Sequence, residues 1–334
     1  MRRALVVRLD SLGDVVVCGP AIRAVAATAD SVTLLAGPRG AEVARLLPGV
    51  DHVEVFDAPW ITAGAHPVDT AAVAGLVSRL RGRFDTAVVL TSFHQSALPT
   101  ALLLRLAGVG HVAAVSTDHA GSLLDVRLPE PPDDPEPVRM LAVARGAGFA
   151  LPPGDDGALA LVDDLPAVAG LPGRFAVVHP GADAPARTYP LVRWREVVDR
   201  LVRSGLPVAV TGGPDERALT SLVAGDHGLD LGGRLSVAEL AAVLREAAVV
   251  AVGNTGPAHL AAAVGTPVVS LFSPVVPAVR WAPHAGRRVV LGDQDAPCAG
   301  TRARTCPLLG HPCLAGVHPA AVVDAVHDLV RVPS

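Results

Sequence analysis

The chain of 334 residues has no lysine, so all 28 of its basic residues are arginine. Any cationic duty in a site therefore falls to a guanidinium, which keeps its charge at physiological pH, or to a protonated imidazole. Aromatic residues are scarce as well, at 3%, and the buried cores have to be built from Ala, Val and Leu. No window offers about eighteen uninterrupted apolar residues, which excludes a transmembrane helix at the level of the sequence. The opening MRRALVVRLDSLGD carries a basic pair, but Asp10 and Asp14 interrupt its apolar run too early for a secretory signal. A cytoplasmic protein is expected. Four cysteines, three of them between Cys298 and Cys313, do not make a disulfide framework for a chain of this length. A net charge of −4 and a pI near 6.3 argue against a general nucleic-acid binder.

Half of the residues are apolar and 18% are charged, enough for two cores, and the length predicts two domains. Short apolar runs alternate with helical periodicity throughout, the pattern of open parallel sheets covered by helices. Strands are predicted at Ala4–Leu9, Val32–Ala36, Val53–Phe56, Thr86–Leu90 and Val112–Val115, then at Phe175–His179, Val208–Thr211, Val249–Val252 and Pro267–Phe272. The stretch PEPPDDPEP (Pro129–Pro137) reads as an exposed loop rather than a helix. Leu151–Gly173, rich in Pro, Gly and Asp, reads as the linker, with domains at 1–155 and 156–334. Pro319–Val330 reads as a closing helix.

The most informative stretch is Val249–Phe272, VVAVGNTGPAHLAAAVGTPVVSLF. It reads as strand, polar elbow, helix and strand. At such an elbow, backbone N–H groups and the helix dipole favour a phosphate. Thr255 and Gly256 would present those groups, with Pro257 in the first helical turn and His259 close behind. A tight turn capped by Asn or Thr is the competing reading. The first loop, Asp10-Ser11-Leu12-Gly13-Asp14, carries two carboxylates and lacks the dinucleotide fingerprint G-x-G-x-x-G, which counts against a nicotinamide enzyme. A carboxylate at a strand tip can accept a proton from an incoming hydroxyl; Asp14 could equally cap the following helix. The polar cluster Thr91–Ser96, including His94 and Gln95, follows a strand directly and is a candidate for lining a binding site, with helix capping by Ser92 or Ser96 as the alternative.

The wording N-T-G-P-A-H-L-A-A-A-x-G-T-P-x-x-x-L-F resembles the C-terminal motif of glycosyltransferase family 9, the ADP-heptose:lipopolysaccharide heptosyltransferases and their relatives. Gly13-Asp14 with Pro20, His179-Pro180-Gly181-Ala182, Arg187-Thr188-Tyr189-Pro190 and Gly233-Arg234-Leu235-Ser236 resemble further family motifs in family order. The resemblance implies an α/β protein of the GT-B type, two Rossmann-like doubly wound domains facing across a cleft, with the closing helix packing back on the first domain. It implies an inverting transfer of a sugar, with a heptose from ADP-heptose as the expected case, to a hydroxyl of a glycan, glycolipid or specialised metabolite.

In that reading Asp14 is the general base and Arg187, where the family has Lys, neutralises the departing diphosphate. Gly181, Glu216, Leu235, Asn254, Thr255, Gly256 and His259 face the donor nucleotide sugar; Asp10, Ser11, His94 and Gln95 face the acceptor. Asn254 stands where the family usually has Asp, so it can hydrogen-bond sugar hydroxyls but brings no charge. No cofactor and no metal are expected, the nucleotide sugar being a co-substrate. With one family cysteine replaced, Cys298, Cys306 and Cys313 are read as a structural loop with free thiols, His311 being the residue that could complete a zinc set. A lipid acceptor would bring the protein to the inner face of the membrane. The competing functions are a nucleotide-sugar 2-epimerase of similar fold and a catalytically silent nucleotide-sugar binding protein.

Overall fold

A computed structural model describes residues 2–61 and 66–331. By its contacts the chain divides into two units, Met1–Val162 and Asp163–Ser334. Residues 156–162 belong with the first unit for a visible reason. Arg23 holds Asp155 through Nε at 2.6 Å and donates to the Ala158 carbonyl at 2.8 Å, and the Val162 amide donates to the Leu46 carbonyl.

The first unit runs β1 (Arg3–Arg8), α1 (Leu12–Val16), α2 (Gly19–Ala26), β2 (Ser31–Ala36), α3 (Ala41–Ala44), β3 (His52–Val55), α4 (Thr70–Leu80), β4 (Thr86–Val89), α5 (Leu98–Leu106), β5 (His111–Val115), β6 (Val126–Leu128) and α6 (Glu136–Gly146). The six strands form one parallel sheet in the order β3-β2-β1-β4-β5-β6. Strands of a sheet covered on both faces are apolar without alternation, and β1 and β4 are buried almost end to end. The predicted loop at Pro129–Pro137 is shorter than expected, because Glu136 and Pro137 form the first turn of α6 and are buried. Proline fits there, since the first helical N–H groups have no partner within the helix.

The second unit runs β7 (Ala176–His179), α7 (Leu191–Arg203), β8 (Val208–Val210), α8 (Arg217–Ala224), β9 (Leu229–Asp230), α9 (Val237–Glu246), β10 (Val249–Gly253), α10 (Gly256–Ala263), β11 (Val268–Leu271), α11 (Ala278–Trp281), β12 (Arg288–Leu291), α12 (Pro312–Ala315) and α13 (Pro319–Arg331). Its sheet is also six-stranded and parallel, in the order β12-β11-β10-β7-β8-β9. Both sheets thus share one winding, in which the first strand of each unit lies inside and the chain reverses direction beside it.

Trp194, Val197, Val198 and Leu201 repeat at helical spacing on α7 and are buried. Trp194 meets Tyr189 edge to face, with ring centroids 5.2 Å apart. Around this pair the core is mainly Ala, Val and Leu. α13 packs on α7 and on β10–β12 of its own unit. Cys298 and Cys313 belong to the same core, with Cys306 packed against it. Among the described residues no helix is long and apolar enough to cross a membrane.

Candidate functional site

A doubly wound sheet binds ligands at the carboxyl ends of its strands, where the strand order reverses. In the first unit that point lies between β1 and β4. It brings together the loop Asp10–Asp14 after β1 and the loop Thr91–Ser96 after β4, and what joins them is Arg8, the last residue of β1.

Arg8 is wholly buried, and sequence reasoning missed it. Its guanidinium donates to Asp14 Oδ1 at 3.0 Å and to Ser92 Oγ at 2.7 Å. Its Nε lies 2.9 Å from Asp10 Oδ2, an ion contact without the direction of a good hydrogen bond. Burial opposes the Arg8 charge, but Asp10 first, then Cys18, Asp14 and Glu136, more than offset this and raise its pKa. Asp10 is itself pushed up by burial, against the pull of Arg8. Gln95 Nε2 donates to Asp10 Oδ1 at 2.5 Å, and Gln95 Oε1 accepts the Ser92 amide at 2.9 Å. Asp14 also accepts from the Ser11 amide at 3.3 Å, so it does serve the start of α1 while part of its carboxylate stays accessible (23% of the side chain). His94 is exposed, its ring edge-on to Phe93. Asp10, Ser11, Asp14 and Gln95 therefore form one cluster. The signal that could have found Arg8 was a charge closing an otherwise apolar run.

In the second unit the same reversal lies between β7 and β10, and the loops that meet there are Pro180–Arg187 and Asn254–Pro257. A Cβ on Gly253 would stand 3.1 Å from the Arg187 carbonyl oxygen, so this glycine lets the Arg187 loop lie against the end of β10. That loop is pinned on its other side. Tyr189 is buried and donates its hydroxyl to the Val317 carbonyl at 2.9 Å, and a ring nitrogen of His311 lies 3.0 Å from the Ala186 carbonyl oxygen.

Within the elbow, Thr255 and Gly256 are partly exposed, whereas Asn254 and His259 are each 5% exposed. Asn254 Nδ2 and His259 Nδ1 have no hydrogen-bond partner among the described residues. Buried polar groups are almost always bonded, so two orphans within six residues call for an explanation. Burial, followed by the neighbouring His284, pushes His259 down to about 4, which leaves its imidazole neutral at physiological pH.

Next to the elbow lies a third group. His179, at the tip of β7, pairs its Nδ1 with Thr211 Oγ1 at 3.0 Å. Burial lowers its pKa, although Glu216 Oε2 at 3.9 Å opposes the shift. Glu216 Oε2 accepts the Gly213 amide at 2.7 Å. A Cβ on Gly181 would fall 1.9 Å from Glu216 Oε1, so Gly181 is the space that this carboxylate fills. Asp215, the other acid in the loop, is exposed. Leu235 is half-buried before Ser236, which caps α9 in the predicted capping box with Glu239. Gly181, Glu216, Arg187 and the elbow are thus gathered around the ends of β7, β8 and β10, and Leu235 follows β9 in the same sheet.

The model for glycosyltransferase family 9 (heptosyltransferase) matches residues 73–311. The chain belongs to glycosyltransferase family 9. The matched stretch begins after the Asp14 loop, so the geometry of that loop is evidence of a separate kind. Lipopolysaccharide heptosyltransferase 1 of Pseudomonas aeruginosa is 35% identical over 120 residues, which are 35% of this chain and 33% of that protein. The alignment thus spans about a third of the length of this curated relative. Among solved structures, ADP-heptose LPS heptosyltransferase II of Escherichia coli covers 99% of the chain and 98% of its own length, with a TM-score of 0.73 at 18% identity. The E. coli heptosyltransferase WaaC with ADP covers 98% and 99%, with a TM-score of 0.71 at 20% identity. At those identities the likeness establishes the GT-B fold of this family 9 member.

Proposed function

We propose that this family 9 protein moves a sugar from a nucleotide diphosphate, ADP-heptose being the expected donor, to an alcohol on a glycan, glycolipid or specialised metabolite, with inversion at the anomeric carbon. The observation that carries the reading is the elbow of the second unit. It combines a helix N-terminus, partly exposed Thr255 and Gly256, and two buried polar groups, Asn254 Nδ2 and His259 Nδ1, with no partner among the described residues. A diphosphate and its sugar supply the acceptors and hydroxyls that such groups lack.

In the reaction Asp14 takes the proton of the acceptor hydroxyl as its oxygen bonds to the anomeric carbon. The carbon–oxygen bond to the nucleotide breaks from the opposite face, which inverts the centre. The departing diphosphate gains negative charge. Arg187, the Thr255 and Gly256 amides and the α10 dipole answer it with fixed protein charge, the duty that other transferases give to a divalent cation. In this reading His259 adds a hydrogen bond as a neutral group, and Glu216 accepts from ribose hydroxyls. The acceptor could be lipid-linked, in which case the protein would work at the inner membrane face.

Calorimetric titration with ADP, UDP and GDP tests the donor half, and ADP is expected to bind most tightly. Asp14→Asn should leave that affinity within about twofold and cut transfer by about 100-fold or more. If none of the nucleotides binds, or if Asp14→Asn keeps its turnover, the reading is wrong. Release of free nucleotide and an epimerised sugar without any acceptor would point to an epimerase.

A further inference from the structure

At the carboxyl ends of β4 and β5 the first unit holds a cavity of about 220 Å³. Half of its polar lining residues carry hydroxyls: Thr91, Ser92, Ser96, Ser116 and Thr117. It adjoins the Asp14 cluster through two of its own lining residues. Ser92 accepts from Arg8, which holds Asp14, and Gln95 holds Asp10.

The charge around this cavity is one-sided. Its one lining cation of fixed charge, Arg139, is 2% exposed. The Arg139 guanidinium donates to Glu136 Oε1 at 3.1 Å and to the Pro131 carbonyl at 2.5 Å, and also to the Pro132 carbonyl and the Glu130 carboxylate. Arg8, behind the wall, is committed in the same way to Asp10, Asp14 and Ser92. Exposed Asp118 and exposed His94 also line it. An anion entering here would meet carboxylates and two guanidinium groups already occupied, and would lose its hydration with no counter-charge beyond what the solvent-exposed imidazole of His94 can offer. Hydroxyl groups would meet hydroxyl partners, and an ammonium would meet the exposed Asp118.

We infer that this cavity takes a saccharide ring bearing no negative charge, with an amino sugar preferred, as the acceptor-side group of the sugar transfer proposed above, and that acidic sugars are excluded. The size suits one ring, since it lies below the roughly 300 Å³ at which pockets for larger ligands begin. The inference rests on the transfer reading for its role, but its binding preference can be measured without turnover.

The test uses the full chain and ligand-observed NMR with methyl glucosaminide, methyl glucoside and methyl glucuronide. Affinity should fall in that order, with about tenfold or more between the first and the last at low salt. Thr117→Trp, a change at an exposed lining position, should abolish binding of the first two sugars. Asp118→Arg should narrow or reverse the preference. Glucuronide binding as tightly as glucosaminide, an absence of binding by all three, or indifference to Thr117→Trp would each overturn the inference. ADP titration of the same samples reports on folding and on the donor reading independently. If ADP binds and the sugars show no preference, only the cavity assignment fails; if ADP does not bind, it is the transfer reading that fails.

Discussion

The two units share one strand order and one place for a site, yet they furnish it in opposite ways. At the reversal beside β1 the groups are charged and neutralised from within, because Arg8 answers Asp10 and Asp14 and reaches across to Ser92. At the reversal beside β10 the innermost groups are neutral, and Asn254 Nδ2 and His259 Nδ1 have no partner among the described residues. The energetics of burial explain the division. An unpaired neutral donor or acceptor costs about 1–3 kcal/mol, which a domain tolerates where a ligand returns the bond. An unpaired buried carboxylate costs several kcal/mol. Charge is therefore neutralised inside the protein beside β1, and at the elbow two neutral groups are left without a bond among the described residues.

The largest effect expected from this contrast is on the charged side. Arg8→Leu leaves two neighbouring carboxylates, Asp10 and Asp14, with 12% and 23% of their side chains exposed, without their cation. Removing one partner of a buried pair costs about 3–5 kcal/mol, and urea unfolding should show a loss of that size at pH 7. The deficit should shrink towards pH 4 as the orphaned carboxylates take up protons. A loss below about 1 kcal/mol would mean that Arg8 does not hold the cluster.

The same contrast decides what could be read from the sequence. Central strands such as β1, β7 and β10 are buried on both faces and show as apolar runs, so they were legible. Edge strands β6 and β12 are half-exposed and β9 is two residues long; none carries a run that stands apart from its flanks. The α6 start was misread because Pro135 and Pro137 suggested a loop, although proline is at home in a first turn. In the site, the Asn254–His259 elbow was legible because it is contiguous. The Arg8–Ser92 bond and the Gly181–Glu216 contact span 84 and 35 positions, and only folding brings those residues together.

A smaller effect is expected at the neutral site. His259 is held down at about 4, with burial first and His284 second as causes, whereas in an unfolded chain a histidine titrates near 6.5. As pH falls from about 6.5 to about 4, the unfolded chain takes up a proton that the folded one refuses, so stability is lost over that window and is at its full value above it. The contribution is about 3 kcal/mol across the window and about 2 kcal/mol by pH 5. His259→Gln should remove most of this slope in urea titrations at pH 7 and pH 5. Part of it should remain, because burial also lowers His179. An unchanged slope would show that His259 is protonated in the fold, and the neutral half of the contrast would then fail.

The smallest effect separates packing from positioning. Gly181→Ala places a methyl 1.9 Å from Glu216 Oε1, an overlap that neither atom can sustain. The obstructed atom is the far end of a rotatable side chain, so Glu216 should swing aside rather than the strand give way. The expected loss of stability is accordingly below about 1.5 kcal/mol. Displaced, Glu216 leaves the Gly213 amide and the position from which it would meet ribose hydroxyls, and one hydrogen bond of about 0.5–1.5 kcal/mol is forfeited there. ADP affinity should drop about threefold to tenfold by calorimetry, and Glu216→Gln should weaken ADP by a similar factor with almost no change in stability. If Gly181→Ala instead costs several kcal/mol while ADP binds as before, the glycine serves the packing of β7 and β8, and Glu216 has no part in holding the nucleotide.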